Sequence, residues 1–599
     1  MVAYSRKRKK LNWLGMPATK LVFRILMALL LFSVSRWLVY LFNTEYFHHL
    51  TLSQAMRLYV TGLRFDLVVV AYANALMILY FCLPFKFIYN KVLQQAINVY
   101  YVVVNAFIIL LNMVDVVYFG YYGRQISERL FTDIQVFKEA LKPIARLMLI
   151  DYWYILVLTV LFVLVLVVVC KRTLLILDEK EPPRPLMQWI TLPVFAILTP
   201  IAARGGIQSK PIDMTTALKY ADSQSLSIVV NTPFTIIKSA TGLEVQQHQY
   251  SGLEDIDFTP IHNTTAANRF VADSLEYTPN LVFVVLDGIG QEVVGYYNPN
   301  QRHPLTPFLD TLLAQSLAFD GRANGHRAVE ALPALFSGIP SLTEVIFRTS
   351  TGISNPSGHL GYLLKQKGYT LTLSRSKGAT SAIDTLGRPL AAVVYPSFTN
   401  DVTLPKESYL WSSFEKNVYR TDDALRAFFE EAATKPWFDS TLFVITADHA
   451  NTEHYLPEYS NLWGMYAIPV AFHWPTQIMP RHCDELAQQI DLNGSILSAM
   501  GFNDTVFSFG RNLFDSLTTP SFIAYINQTY QYSDGQYLIQ SDGINTIGVF
   551  NIKRDRQLND NLIDRIQCED IAMIMKKIIQ EYEQAKDTVY PQPCSGSGR

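Results

Sequence analysis

Five long apolar runs, Leu21–Phe42, Leu67–Phe85, Val99–Phe119, Tyr152–Cys170 and Leu186–Ala203, all lie before Gly205. Such runs restrict a chain more than any motif does. A stretch of roughly 20 mostly apolar residues satisfies its own backbone as a helix and crosses a bilayer. The first four runs meet that length, whereas the fifth is short and holds Pro193 and Pro200. The 50% hydrophobic content of the 599 residues is therefore unevenly spread. The expected organisation is a transmembrane domain of five spans over 1–204, a linker over 205–279, a soluble α/β domain over 280–588 and an unstructured tail over 589–599.

The basic stretch SRKRKK (Ser5–Lys10) precedes the first run, which places the N-terminus in the cytoplasm. Five crossings then put the chain after Ala203 on the outer, periplasmic side of the inner or plasma membrane, and the basic loop Lys171–Arg184 inside. The loop after the third run carries Arg124, Arg129, Lys138, Lys142 and Arg146 and falls outside, against the rule. Its apolar residues Ile126, Leu130, Phe131, Ile134, Phe137 and Leu141 recur at helical spacing. That fits either amphipathic helices on the outer membrane surface or a solvated helical face. Asp66, Asn105, Asn112 and Asp115 lie in or beside the runs. No repeated pattern marks a transporter, so interhelical hydrogen bonding is their expected role. A net charge of −1 gives no reason to expect nucleic acid as a partner. The cysteines form no C-x-x-C pair, and whether Cys483 and Cys568 pair stays open.

In the polar part, NLVFVVLDG (Asn280–Gly288) and TLFVITADHA (Thr441–Ala450) read as buried parallel strands ending in acids. YTLTLSRS (Tyr369–Ser376) and YAIPVAFHW (Tyr466–Trp474) are further strands. The stretches TPFLDTLLAQS, SGHLGYLLKQKG, TDDALRAFFEEAATK and DELAQQIDLNGSILSAMG have helical patterns. Alternation of this kind predicts an α/β domain with a mainly parallel sheet, and the segment after Pro520 a small antiparallel sheet and a last helix around Ile571–Lys586. Ligands gather at the C-terminal ends of parallel strands. Asp287, Asp448 and His449 stand at such ends, and two carboxylates with one imidazole suit a divalent cation: Mn²⁺, Mg²⁺ or Zn²⁺. ANGHRAVEALPALFSGIPSL (Ala323–Leu342) reads as a loop feeding a helix, with Gly325 in a turn, Pro333 in the first helical turn and Gly338 as the stop. A helix start is a natural anion site, yet Ala328 stands there with no nucleophile.

VVLDGIGQEVVGYYN, HPLTPFLDTLLAQS, ANGHRAVEALPALFSGIPSL, TLFVITADHA, YAIPVAFHWP and FSFGRNLFD, behind the apolar runs and an RGG linker, together resemble the lipoteichoic acid synthase family of membrane transferases. That family belongs to the alkaline phosphatase and sulfatase superfamily. The resemblance implies five spans and an extracytoplasmic sulfatase-like α/β domain. It implies one divalent metal held at Asp287 (usually Glu), Asp448 and His449, with Ala328 at the position of a Thr or Ser nucleophile. Family chemistry moves a phosphoglycerol-type headgroup from a membrane lipid through a covalent phospho-enzyme to an acceptor.

Three departures bear on activity. Ala328 removes the nucleophile and a metal ligand, Ser374–Asp384 lacks the family's F-H-G histidine, and Asp384–Arg420 is shortened where an S-H-H or S-S-H segment is expected. Ser337 is too far along the helix to substitute, and His326, which flanks the site, could form a phospho-histidine in its place. Thr452, Glu453 and His454 follow the Asp-His pair as extra ligands or as a surface loop. No C/S-x-P-x-R motif of a formylglycine sulfatase is present. Two readings stay open: a metal-dependent transferase or hydrolase of the cell envelope, or a pseudoenzyme that serves as a scaffold or binds a lipid, a glycan or a partner protein.

Overall fold

The structure is a computed structural model. It describes residues 17–589 except 45, 48–49, 84, 86–89, 123–124, 127–147, 173–184, 209–210, 213–215, 218–219, 222–224, 242–249, 251–252, 255, 257, 264–276, 343–358, 375–388, 396–403, 452–453 and 527–528. The chain divides into two compact units, Met1–Leu243 and Glu244–Arg599.

In the first unit the apolar runs form α1 (Pro17–Phe42), α2 (Leu52–Cys82), α3 (Lys91–Tyr122), α4 (Trp153–Arg172) and α5 (Pro185–Arg204). Among the described residues, α1 to α4 each contain a stretch long and apolar enough to cross a membrane. The apolar part of α5, Thr191–Arg204, is shorter and includes Pro193 and Pro200. Helix α2 begins well before the expected Leu67, because a capping box between Thr51 and Gln54 starts it at the polar end. Within residues 205–279, expected as a linker, α6 (Leu226–Val229) packs on α1 and α2, and α7 (Thr232–Thr241) on α2 and α3. Leu226, Ile228, Val229 and Phe234 are buried there, so apolar burial holds this stretch on the helices.

Several buried polar residues of this unit are paired across its helices. Asp66 accepts from Arg36 at 2.9 Å, with both side chains almost fully buried. Asn231, between α6 and α7, donates to the same carboxylate at 2.6 Å. Arg36 also donates to Tyr59 O at 2.9 Å and to Ile228 O. Asn105 and Asn74 bond each other across α2 and α3, and Asn112 donates to Ser35 of α1. Asp115 instead accepts from the backbone of Ile126, just beyond its own helix. Of the loop after α3, all but Gln125 and Ile126 of 123–147 lies outside the described residues, including Arg124, Arg129, Lys138, Lys142 and Arg146. Lys180 and Arg184 lie outside them too.

The second unit is built on a seven-stranded mixed sheet, formed by β2 (Asn280–Leu286), β3 (Leu317–Arg322), β4 (Thr370–Ser374), β5 (Leu390–Val394), β6 (Thr441–Ala447), β7 (Ala467–His473) and β8 (Arg481–Gln488). Their spatial order is β4-β5-β2-β6-β7-β3-β8. Strand β7 runs antiparallel to both neighbours, and the other pairs are parallel. Every residue of β2, β6 and β7 is buried, which explains their unbroken apolar character. Around the sheet pack α8 (Pro307–Ala314), α9 (Ala328–Ser337), α10 (Leu360–Gln366), α11 (Ser413–Ala432) and α12 (Leu492–Ala499). A two-stranded sheet joins β1 (Ile261–Asn263) to β9 (Thr505–Phe507).

Strands β10 (Phe522–Ile526), β11 (Thr529–Ser533), β12 (Tyr537–Ser541) and β13 (Thr546–Asn551) form the expected antiparallel sheet, and α13 (Glu569–Val589) packs on it. Ile523, Tyr530, Tyr532 and Ile539 meet Met575, Ile578, Ile579 and Tyr582 in one apolar cluster. The stretch DELAQQID is a correction: Asp484–Gln488 is strand, completing β8 against β3, a 3-10 turn follows at Gln489–Asp491, and α-helix begins only at Leu492. Pairing along the sheet edge overrides a local helical pattern of eight residues. No disulfide joins Cys483 to Cys568.

Candidate metal centre

The strands β2 and β6 are parallel neighbours in register, with Leu286 opposite Ala447. The residues that follow, Asp287 and Asp448, therefore leave the sheet side by side, and His449 comes next. One potential ligand atom from each of the three lies within 4.8 Å of the others. His449 Nε2 is 3.9 Å from Asp287 Oδ1 and 3.7 Å from Asp448 Oδ1. Its other nitrogen, Nδ1, lies 2.8 Å from Ala450 O. As a donor there, it leaves Nε2 as the lone-pair nitrogen facing the two acids, the tautomer a metal needs. Gly288, with φ of 64°, turns the chain beneath this ring, and a Cβ there would sit 3.2 Å from His449 Cε1.

Asp448 is held from its own neighbourhood. Its Oδ1 accepts from Gly288 N at 3.0 Å and His449 N at 2.8 Å. Burial pushes its pKa up, partly offset by His449. A cation at this point would reverse that pressure, since it favours the carboxylate. Asp287 is 85% exposed, so the cluster opens to solvent on that side. Two oxygen ligands and one imidazole fit a divalent cation, with coordination positions left for water or substrate.

Two residues that sequence reading did not single out hold this cluster. Gln489 donates to Ala447 O at 2.9 Å and Asp448 O at 2.7 Å, while its Oε1 accepts from Asn324 N at 2.9 Å. One side-chain amide thus ties the strand end that carries the candidate ligands to the loop that leads to Ala328. Glu292, in the short 3-10 helix Gln291–Val293 after β2, ties the loop after His449. Its Oε1 accepts from Tyr455 N and Leu456 N, both at 2.6 Å, and its Oε2 from Asn451 Nδ2 at 3.2 Å. His454 Nδ1 lies 3.0 Å from the same Oε2, which pairs that histidine with Glu292. The signal in the sequence was a lone acid within GIGQEVV, where an unpaired charge would be costly to bury.

Ala328 is the first residue of α9 and is exposed. Gly338, with φ of 62°, ends the helix as expected. Pro333 lies inside the helix, beyond the first turn where it was expected. The loop before the helix is filled by Glu330, which accepts from His326 N at 2.8 Å and pairs with Arg327. His326 is not in the three-residue cluster; its ring packs 4.1 Å from that of Tyr466. His454 is likewise outside the cluster, and Thr452 and Glu453 lie outside the described residues. So do 375–388 and 396–403, which hold most of the two altered segments.

Residues 391–502 match the Sulfatase family model, a segment running from β5 to just beyond α12 that includes Asp448 and His449. Several solved structures are similar. A protein of the alkaline phosphatase superfamily from Vibrio parahaemolyticus is 19% identical, with 57% of this chain and 95% of that one covered and a TM-score of 0.46. The lipoteichoic acid synthase LtaP from Listeria monocytogenes is 14% identical, with 53% and 94% covered and a TM-score of 0.41. A phosphonate monoester hydrolase of Agrobacterium radiobacter is 11% identical, with 51% and 96% covered and a TM-score of 0.37. The second unit is an α/β domain with a mixed sheet whose segment 391–502 matches the Sulfatase family model, in a chain whose N-terminal apolar helices are consistent with membrane anchoring.

Proposed function

We propose that this chain is a membrane-anchored cell-envelope protein of the lipoteichoic acid synthase type. In this reading it binds one divalent cation at Asp287, Asp448 and His449, and recognises a phosphoglycerol-type headgroup there without forming a covalent phospho-enzyme. The observation that carries the reading is the convergence of the three ligand atoms within 4.8 Å at adjacent strand ends. When bound, the cation supplies positive charge that neutralises phosphodiester oxygens. Asp448 is fixed by backbone N–H groups, His449 is oriented by Ala450 O, and Asp287 faces the solvent from which a headgroup would come. Ala328 has no hydroxyl to esterify, which removes transfer through that position. Five spans, a cytoplasmic N-terminus and a periplasmic second unit belong to the same proposal.

The deciding experiment pairs calorimetry of Mn²⁺ with turnover of a fluorescent phosphatidylglycerol analogue by the purified full chain in detergent. Metal binding with turnover at background supports a headgroup-binding pseudoenzyme. Robust metal-dependent turnover would favour the second reading, an active hydrolase or transferase, and a phospho-histidine at His326 would identify its nucleophile. Absence of Mn²⁺, Mg²⁺ and Zn²⁺ binding overturns both.

A further inference from the structure

A cavity lies in the second unit, against the β3–β8 edge of the main sheet, where the Asp534–Gln536 turn of the C-terminal sheet comes alongside. Its volume is about 670 Å³, within the usual range of ligand pockets, and none of Asp287, Asp448 and His449 lines it. The wall carries tyrosine and tryptophan rings, including Tyr296 and Trp463, beside carboxylates and a single buried guanidinium, Arg322. The Arg322 side chain is only 6% exposed. It stacks 4.2 Å from the Trp463 ring, and Nη1 donates to Asp320 Oδ1 at 2.6 Å and to Gly321 O at 2.7 Å. Nη2 reaches Asp320 Oδ2 at 3.2 Å, and Nε is shut off from solvent, so the guanidinium serves to fix the Trp463 wall.

The charge of the wall selects the ligand. Asp320 is matched by Arg322 and Glu485 by Arg511, which leaves Glu458, Asp484 and Asp534 on the wall against Lys553 and Arg556. An anionic headgroup would meet excess negative charge. A metal ion is not favoured either, because the one cluster of metal-ligand type among the described residues is the centre at Asp287. A neutral molecule with many hydroxyls fits: its O–H groups donate to the carboxylates, and its flat C–H faces lie on the tyrosine rings and on Trp463, which Arg322 holds in place by stacking.

We propose that this cavity is a binding site for a neutral polyhydroxylated ligand, an oligosaccharide or polyol, separate from the metal centre. The test uses the full chain in a detergent without a sugar headgroup, with maltotetraose and chitotetraose as probes in saturation-transfer NMR and calorimetry. The expected result is binding of at least one probe, independent of Mn²⁺. Arg322→Gln and Tyr296→Ala should each weaken it at least tenfold while leaving Mn²⁺ affinity unchanged. If Arg322→Gln fails to fold, Tyr296→Ala at the half-exposed position carries the test. No saturation transfer to either sugar at millimolar concentration, or unaltered binding by folded Tyr296→Ala, overturns the proposal. So does glycerol phosphate displacing a bound sugar in metal-free protein.

Discussion

Glu292→Ala should loosen the metal centre although Glu292 is not one of the three candidate ligands. Its carboxylate is 2% exposed and receives Tyr455 N and Leu456 N at 2.6 Å, with Asn451 and His454 on the other oxygen. A hydrogen bond to a charged group contributes about 1.5–3 kcal/mol, so losing the two backbone bonds alone costs about 3–6 kcal/mol locally. The loop these donors belong to begins directly after His449. Loss of a supporting partner around a metal typically lowers affinity by about 10–100-fold, which is about 1.4–2.8 kcal/mol. The expected outcome is therefore a fall in Mn²⁺ affinity of that size, measured by calorimetry on the full chain. Glu292→Gln should fall between, because its carbonyl still accepts from the loop while its amide opposes Asn451. A folded Glu292→Ala protein with Mn²⁺ affinity within twofold of wild type would refute the claim that this carboxylate holds the centre.

Ala328→Thr should tighten Mn²⁺ binding by returning a hydroxyl at the start of α9, and an unchanged calorimetric constant would argue that α9 does not face the centre. Asp66→Ala should cost about 3–5 kcal/mol by leaving Arg36 buried and unpaired, seen as a lower melting temperature in micelles, with Arg36→Leu/Asp66→Leu recovering most of it. Burial raises the pKa of Asp422 to about 7 despite backbone bonds from Phe308 and Leu309. The unfolded chain therefore releases this proton first as pH rises from about 4. The contribution is complete below pH 4 and lost by pH 7, so Asp422→Asn should flatten the fall in stability over that window. Protease added to intact spheroplasts should digest the chain beyond Arg204, and full protection would overturn the outward placement of the second unit.

The strand ends were legible because two fully buried strands, NLVFVVL and TLFVITA, cannot alternate and must stop at their first charge. The same logic failed for β3, LAFDGR, and β5, LAAVV, which are too short to be told from loop or helix by periodicity. It also failed for β8, whose exposed residues at Arg481, His482 and Asp484 disguise an edge strand. Within the apolar runs, Asp66, Asn105 and Asn112 were readable as interhelical hydrogen-bonders. Arg24 and Arg36 were passed over, although both are among the most buried large side chains. A long basic side chain in a hydrophobic run gives no hint of its partner: Arg24 finds Asn98 at 2.8 Å and Cys170 O at 3.3 Å on helices far along the chain. Gln489 and Glu292 escaped notice for a related reason. Their roles depend on which loops the sheet order brings together, and a single sequence does not display that order.

If α1 and α2 cross a membrane, the Arg36–Asp66 pair also bears on how they enter it. Carried alone, α1 would take a guanidinium and α2 a carboxylate toward hydrocarbon, each opposed by up to about 2.5–3.5 kcal/mol, the cost at a helix centre. Side by side the two groups lie 2.9 Å apart and largely cancel, so the first two helices have reason to leave the translocon together as a helical hairpin. Asn231 reaches the same carboxylate from 165 residues further on. A nascent chain halted before it would hold the hairpin with one acceptor site of Asp66 still open, and synthesis of α6 and α7 would then act as the latch on a membrane domain already in place.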